Sequence, residues 1–360
     1  MSQMAGRQAG RVAAKIAEQI KGRILSGDIR TGQYLPGVRD IGREHNVSPE
    51  TARRAMKIME LERWVRVHPG HGFKVTAKGN DPTEAAPVAF ILSGKLPGGQ
   101  WTSFGEKLLA ALHAAAEDRG WSMLSVGATG RSTPDIVEQL KAARASGLVL
   151  DTPHHALIKA LVGLDMPVVM IEEADGGVRL DCVSQDNFAG SAGAAGYLAA
   201  RGHSRIGWFG SLEPDVTSRE RWGGALAAMR DTGASLAPAD SVNAAASDAT
   251  EKLRALLARP DRPTALLALW WEHAALAART AMEAGLEPGR DVEIAGWSSE
   301  EQLPEFRAAY PGGRLPATVT WSMRQLAETA LARLAERRAR PDAPPVRINV
   351  ETQLLEPEKG

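Results

Sequence analysis

The stretch NVSPETARRAMKIMELERW, residues 46–64, carries the pattern that decides the fold of the first part of the chain. Ser48 is placed to cap a helix beginning at Pro49, because a hydroxyl satisfies free N–H groups of a first turn and proline fits the first helical position. The apolar residues of the stretch recur on one helical face: Ala52, Ala55, Met56 and Met59. The pattern therefore predicts an amphipathic helix that packs on a core.

The sequence on either side predicts partners for this helix. Residues 8–26 carry an apolar stripe with a four-residue spacing, formed by Val12, Ile16, Ile20 and Ile24. A second short helix is predicted over residues 38–45, and two short strands over 64–68 and 73–76. Three helices followed by a hairpin are the elements of a winged helix-turn-helix.

The composition is that of an ordinary globular chain with two or three domains. Of its 360 residues, 44% are hydrophobic and 24% are charged. No apolar run is long enough to span a bilayer, and the start is too polar for a secretory signal. The single cysteine, Cys182, excludes an intrachain disulfide and a multi-cysteine metal site. We therefore expect a cytoplasmic protein with no metal, no cofactor and no membrane partner.

The net charge of zero hides an asymmetry along the chain. Residues 1–80 hold 15 basic and 7 acidic side chains, a net charge of +8, and the remainder carries −8. A basic module joined to an acidic body suggests that only the first part meets a polyanion. Charge alone leaves open a basic surface that is merely solvated.

The remainder of the chain has the texture of a parallel α/β fold. Residues 77–86 are polar, contain Gly and Pro, and indicate a linker. From residue 87 onward, short apolar runs such as VAFIL and GLVLD alternate with long Ala- and Leu-rich helices. This alternation predicts doubly wound parallel sheets, in two lobes because so many units exceed one compact sheet. The expected domains are 1–76, a linker at 77–86, and a two-lobed domain at 87–360.

The first module resembles the GntR family of winged-helix regulators. The resemblance is carried by Leu35-Pro-Gly-Val-Arg39, by Val47-Ser-Pro-Glu-Thr-Ala-Arg53 and by the wing Gly70-His-Gly72. It implies a DNA-contacting surface formed by Arg39, Ser48, Thr51, Arg53, Gly70, His71 and Gly72. Arg54 and Lys57, on the exposed helix face, are expected to contact phosphates, which receive at least half of the contacts in such interfaces.

One position departs from the GntR pattern. Many members carry a basic residue just after the recognition-helix cap, whereas Pro49-Glu50 stands there in this chain. Glu50 is therefore also a candidate DNA-contacting residue that accepts from cytosine, and the alternative is that it simply caps the helix.

The second part resembles the LacI/GalR effector domain, a periplasmic-binding-protein-like fold. The resemblance is carried by ordered motifs, among them Val183-Ser-Gln-Asp-Asn187, Arg219-x-Arg221-x2-Gly224 and Leu315-Pro-Ala-Thr-Val319. It implies an effector held between two lobes, at the carboxyl ends of parallel strands. The first lobe would comprise 87–183 plus 319–340, and the second 184–316 plus the C-terminal strand.

The family's effector positions map onto particular residues of this chain. They are Ser93, Gly94 and Trp101 near the first strand, Glu172 after the fourth, and Arg221, Trp270, Trp271, Ser298 and Trp321. Arg221 is the family's usual anchor for a hydroxyl or carboxylate, and its alternative is an ordinary arginine on a helix surface.

Aromatic residues replace polar sugar-reading residues at several of these positions. Relatives usually carry Asn-Asp where Trp270-Trp271 stand, an Asp near Ser298 and a Gln near Trp321. With Trp297, these tryptophans are expected to face the cleft and stack on a ligand, and the alternative is that some pack in the core. The change argues against an ordinary hexose and favours a modified sugar-like, a nucleoside-like or an amine-bearing effector.

Together these patterns predict a transcription regulator that binds double-stranded operator DNA as a homodimer and responds to a small-molecule effector. No Gly-x-Ser-x-Gly, His-Glu-x-x-His or Walker motif is present, so we do not expect an enzyme. A catalytic sensor that acts on its own ligand remains the alternative, as does a binding protein without DNA activity.

Overall fold

The computed structural model describes residues 2–30, 32–62, 64–68, 72–75, 86–92, 103–151, 155–164, 166–172, 179–211 and 216–358. The chain forms two compact units. One consists of residues 1–89, 113–124 and 140–146, and the other of 90–112, 125–139 and 147–360. Within the described residues, no helix is both long and apolar enough to cross a membrane.

The first 75 residues contain the predicted three helices and hairpin. The elements are α1 (Ser2–Leu25), α2 (Val38–Glu44), α3 (Pro49–Leu61), β1 (Val65–His68) and β2 (Gly72–Val75). The two strands pair antiparallel. A core of aliphatic and methionine side chains joins them, among them Ile16, Ile20, Ile41, Met56 and Met59. The winged helix-turn-helix predicted from the sequence is confirmed.

One residue of the apolar stripe predicted for α1 does not lie on the buried face of the helix. Val12 is 37% exposed, and Ala13 and Ala17 are buried beside Ile16 and Ile20 instead. A four-residue step exceeds one helical turn by about 40°, so a side chain two steps from Ile20 has rotated out of the contact with α3. The buried face follows the geometry of the helix rather than a constant spacing.

The first of two six-stranded sheets is built mainly from residues 88–185. In chain order its elements are β3 (Val88–Leu92), α4 (Ser103–Asp118), β4 (Met123–Gly127), α5 (Thr133–Ala142), β5 (Gly147–Asp151), α6 (His155–Val162), β6 (Val168–Ile171) and β7 (Asp181–Gln185). A strand from the end of the chain, β13 (Arg347–Val350), completes this sheet, and the strand order is β13-β7-β6-β5-β3-β4.

The second sheet begins after a helix that follows β7. The elements are α7 (Asn187–Ala200), β8 (Ile206–Gly210), α8 (Val216–Thr232), β9 (Ser241–Asn243), α9 (Ala249–Leu257), β10 (Ala265–Ala268), α10 (Trp271–Glu283), β11 (Glu293–Ser299), α11 (Leu303–Ala309) and β12 (Ala317–Trp321). With β14 (Gln353–Leu355) from the end of the chain, the strand order is β14-β12-β11-β10-β8-β9. All pairings are parallel except that of β12 with β14. The doubly wound parallel α/β architecture predicted from the sequence is confirmed.

The end of the chain alternates between the two sheets. Helix α12 (Met323–Ala339) lies against β5, β6 and β7 of the first sheet, and β13 (Arg347–Val350) extends that sheet beside β7. Strand β14 (Gln353–Leu355) then joins the second sheet. Strand β12, which the resemblance assigned in part to the first lobe, pairs with β11 of the second sheet. The expected linker at 77–86 lies almost wholly outside the described residues.

Candidate DNA-binding surface and effector site

Helix α3 has the cap and the exposed basic face that the sequence predicts. The Ser48 hydroxyl accepts a hydrogen bond from the Thr51 backbone N–H at 3.2 Å. On the outer face, the side chains of Arg53, Arg54 and Lys57 are 65%, 50% and 64% exposed. The helix therefore presents cations to solvent along one side while its other side is buried in the core.

The acidic residue at the start of α3 is paired with that basic face. The Glu50 carboxylate lies 2.9 Å from Arg53 Nη1 and 3.7 Å from Arg54 Nε. Because Ser48 supplies the side-chain cap, the carboxylate of Glu50 is used in ion pairs rather than in capping.

Two other predicted DNA-contacting residues lie within the described part of the module. Arg39 is exposed on α2, and Gly72 opens β2 with a φ of +93°, a conformation that glycine adopts without steric cost. Gly70 and His71 of the predicted wing lie outside the described residues.

Lys21 belongs to the core of the module, although its sequence context indicates only a positive charge. Lys21 is 6% exposed. Its Nζ lies 2.6 Å from Glu18 Oε1, also pairs with the Glu62 carboxylate, and lies 5.9 Å from the Trp64 ring centroid. Burial lowers the pKa of Lys21, but the two carboxylates outweigh burial and leave the pKa above its ordinary value. One of the module's positive charges therefore holds α1 against the end of α3 instead of facing DNA.

The second candidate site is centred on Arg221, in the second turn of α8. Its side chain is buried, with Nε donating to Asn187 Oδ1 at 2.8 Å and Nη1 donating to the Leu269 carbonyl. The guanidinium carbon lies 4.0 Å from the Trp270 ring centroid and 3.7 Å from that of Trp297. Both faces of the guanidinium are thus covered by indole rings, a favourable cation–π arrangement away from water.

A close helix contact positions this arginine. A Cβ atom on Gly224, one turn beyond Arg221, would lie 2.2 Å from the Phe188 carbonyl oxygen of α7. Only glycine permits that approach, which holds α7 with Asn187 against α8 with Arg221. This is a physical reason for the glycine in the Arg219-x-Arg221-x2-Gly224 motif.

Glu172 reaches the same site from the carboxyl end of β6, an inner strand of the first sheet. It directly follows β6 with a φ of +54°, is 7% exposed, and accepts from Gln185 Nε2 at 2.9 Å and from Thr217 Oγ1 at 3.2 Å. The side-chain oxygen of Gln185, Oε1, in turn accepts from Trp297 Nε1. Glu172 and Arg221, the charged pair predicted from the sequence, are therefore linked through Gln185 and the Trp297 ring.

Three of the remaining predicted effector residues lie within the described part of the chain. Trp271 packs on the core of the second sheet, 6.1 Å from the Phe306 ring centroid. Trp321 is 2% exposed and lies 6.3 Å from the Phe104 ring, with Nε1 lacking a hydrogen-bond partner among the described residues. Ser298 is buried, and its hydroxyl donates to the Ser299 carbonyl at 3.1 Å. Ser93, Gly94 and Trp101 lie outside the described residues.

His273 is a part of this region that the sequence analysis missed. Burial, and secondly the positive charge of Arg221, lower the pKa of His273 to about 4, so the ring is neutral at pH 7. It stands edge-on to Phe209 at 5.7 Å, and its Nδ1 has no hydrogen-bond partner within the described residues.

Gln185 and Asn187 were also missed as site residues, although both stand in the Val183–Asn187 motif. In the described part of the chain, no three His, Cys, Asp or Glu residues are arranged to hold a metal ion.

Comparisons with known proteins agree with both halves of this structure. Residues 12–75 match the family model of bacterial regulatory proteins of the gntR family. Residues 99–326 match the model of periplasmic binding proteins and the sugar binding domain of the LacI family. An arabinose metabolism transcriptional repressor from Geobacillus stearothermophilus is 23% identical over 303 residues, which are 79% of this chain and 80% of that protein.

Solved structures show the same fold. A complex of the transcriptional regulator CelR with cellobiose has a TM-score of 0.65 at 19% identity, over 87% of this chain and 92% of that one. A regulatory protein of the LacI family from Chloroflexus aggregans has a TM-score of 0.64 at 20% identity, over 76% and 98% of the two chains. Because the LacI-type model spans more than half of its length, the chain belongs to the family of periplasmic binding proteins and LacI sugar-binding domains, and with its gntR-type winged helix it is a DNA-binding transcription regulator.

Proposed function

We propose that a small molecule bound beside Arg221 and Trp270 controls the affinity of the winged helix for double-stranded operator DNA. The supporting observation is the stack of Trp270, Arg221 and Trp297 at the carboxyl ends of β8, β10 and β11. Parallel α/β sheets place ligands at that edge. The protein would act in the cytoplasm as a homodimer on a near-palindromic operator.

The geometry supports a ligand that approaches from the Trp270 side. The cavity on the inner side of Arg221, lined among others by Trp208, Leu267 and Val319, has a volume of about 10 Å³, room for about one water molecule. Trp270, by contrast, is only half-buried. A ligand would stack on this indole and reach the polar atoms of Glu172 and Gln185.

The chemistry of this surface favours a ligand with one CH-rich or flat face and several hydroxyl or amino donors. The relatives include a repressor of arabinose metabolism and a regulator in complex with cellobiose. We therefore propose a sugar-derived effector, modified so that its hydrophobic face meets the indole. Nucleosides and amine-bearing compounds are the other classes to test.

Effector binding would change DNA affinity by a coupling free energy of about 1–3 kcal/mol. Glu172 follows a strand of the first sheet and accepts a hydrogen bond from Thr217 of α8, whose Arg221 donates to the carbonyl that follows β10 of the second sheet. A ligand that replaces this hydrogen bond changes the contact between the elements of the two sheets. That change is the physical event we propose to alter the spacing of the two winged helices.

A thermal-shift screen of the full chain tests the proposal. The compounds would be arabinose, ribose, cellobiose, amino sugars, nucleosides, polyols and small amines, each followed by titration of tryptophan fluorescence. Stacking should quench the fluorescence, and Trp270→Ala should remove most of the quench and weaken binding at least tenfold. Trp121→Phe, which alters a tryptophan before the amino-terminal end of β4 rather than at the carboxyl end of a strand, should retain both the quench and the affinity.

Two results would contradict the proposal. One is tight binding of a ligand with full affinity in both Trp270→Ala and Trp321→Ala. The other is chemical conversion of the ligand, which would favour a catalytic sensor and is checked by recovering the compound after incubation.

A further inference from the structure

We infer that Glu50 reads a base: its carboxylate accepts a hydrogen bond from the N4 amino group of a cytosine, within one base-pair step of a guanine bound by Arg53. The inference rests on the DNA-binding function of α3 and names the base class that this helix selects.

The structure removes one local explanation for Glu50, namely that its side chain caps the helix. A carboxylate at the start of a helix is often explained by capping, but the side-chain cap of α3 is Ser48, which accepts from Thr51. Glu50 is 60% exposed, and its carboxylate contacts Arg53 and Arg54 on the outer helix face. Its carboxylate therefore belongs to the surface that would face DNA.

The position of Glu50 limits what it can contact in a complex. The N-terminal residues of a recognition helix are those that meet base edges in the major groove. A carboxylate is repelled by phosphates and by the acceptor atoms of guanine, so it needs an amino group. In the groove, adenine N6 lies between two acceptors, its own N7 and thymine O4, whereas cytosine N4 has an acceptor, guanine O6, on one side only. Cytosine is therefore the better match for a carboxylate.

Arg53 explains why guanine should lie next to that cytosine. Arg53 Nη1 lies 2.9 Å from Glu50 Oε2, so one edge of the guanidinium is held by the carboxylate. Arginine has five N–H donors in a planar fork, which leaves donors for O6 and N7 of guanine. Because the two side chains are in contact, their bases must be the same pair or neighbouring pairs.

The test begins with selection from a random duplex DNA library by the wild-type full chain. Glu50→Gln should change the preferred base at one position from cytosine to adenine, because a glutamine amide pairs with N6 and N7 of adenine. Glu50→Ala should relax the preference at that same position, with discrimination falling roughly tenfold. Arg53→Ala should affect the same or the adjacent position.

Glu60→Gln is the matched control. Glu60 lies on the same helix and pairs with Lys57 at 2.7 Å, so this variant makes the same charge change farther from the N-terminus. It should strengthen binding to all sequences alike and leave every base preference unchanged, because it alters only the general attraction to phosphates.

The outcomes separate the inference from the function on which it rests. If the wild-type chain enriches no sequence, the regulator assignment itself fails. The inference is overturned if the wild-type chain enriches a sequence and both Glu50→Gln and Glu50→Ala keep the same base preferences. It is also overturned if these variants only raise affinity for all sequences, as Glu60→Gln does. Either result would mean that Glu50 only screens the charge of the arginines. Thermal unfolding of each variant confirms that the exposed substitutions leave the fold intact.

Discussion

Arg53 and Lys57 lie one helical turn apart on the exposed face of α3 and are predicted to differ in what they contact. Arg53→Ala should relax sequence preference and cost about 1–3 kcal/mol of binding free energy on the preferred site. Lys57→Ala should weaken all sequences similarly and reduce the slope of affinity against salt concentration, since a phosphate contact releases counterions. Titrations on preferred and random duplexes at several salt concentrations measure both effects. Unchanged binding by Arg53→Ala throughout would mean that α3 is not the recognition helix.

The stack on Arg221 shows a limit of residue-level prediction. The guanidinium of Arg221 is expected from the sequence to bind a ligand, but its Nε and Nη1 donate to Asn187 Oδ1 and to the Leu269 carbonyl within the protein. Of the four tryptophans expected at the cleft, Trp270 and Trp297 cover the guanidinium, whereas Trp271 packs on Phe306. Which tryptophans contact an effector stays a prediction.

At the scale of elements, the contact between α7 and α8 offers a matched pair of substitutions. Gly224→Ala places a methyl group 2.2 Å from the Phe188 carbonyl, which is backbone and cannot move aside without displacing α7. We expect a loss of about 1–3 kcal/mol in the free energy of unfolding. Because Asn187 lies in the first turn of α7, effector affinity should also fall.

Gly223→Ala is the control for that prediction. Its added methyl group would lie 3.7 Å from the Phe188 ring, an ordinary contact, in a helix where alanine is preferred to glycine. Stability should be unchanged or slightly higher by urea unfolding. Equal losses in both variants would show that the close approach of the helices is not the cause.

Asp181 joins β7 to α12 and to the segment before β13. Its carboxylate accepts from Arg337 Nε at 2.6 Å and from the Val346 N–H at 2.9 Å, and pairs with Arg333. Burial raises the pKa of Asp181, but these donors outweigh burial and hold the pKa below its ordinary value. Because the folded pKa lies below the unfolded one, the stabilisation is fully present above the unfolded pKa near 4 and is lost as pH falls through the folded pKa.

Asp181→Asn should therefore destabilise the chain at neutral pH, by about 3 kcal/mol, since it leaves two arginines without their carboxylate. The difference from wild type should shrink below about pH 4, as the wild-type carboxylate becomes protonated. Asp342→Asn, at an exposed position in the nearby turn, should have no effect at either pH. Chemical unfolding between pH 3 and 8 measures this, and a difference that does not depend on pH would contradict the role of the carboxylate.

At the scale of the whole molecule, the prediction concerns modularity. The polar segment 77–86 should be the first site cut by limited proteolysis, because few buried contacts are expected to cross it. The C-terminal fragment should still bind the effector and dimerise, as judged by size-exclusion chromatography with light scattering. A monomeric fragment would place the dimer contacts in the winged helix instead.

Sequence by itself determined most of the elements and the fold class of both halves of the chain. The Ser48 cap, the buried face of α3 and the strands β3, β5, β8, β10 and β11 depend on capping chemistry and on periodicity within a few residues, which a sequence displays directly. The family resemblance predicted more of the fold than these local signals do, and it indicated Glu172 and Arg221 as site residues.

Only the tertiary structure decided which of these residues meet. Strands β7 and β13 have no strong local signal. They form because β7 pairs with β6 on one side and with β13 on the other, although more than 160 residues separate Cys182 from Arg347. The contacts of Glu172 with Gln185, of Gln185 with Trp297 and of Trp297 with Arg221 likewise join different elements of the fold. Pairing and stacking across such distances depend on how the sheets and helices pack, and no pattern within one segment of the chain contains that information.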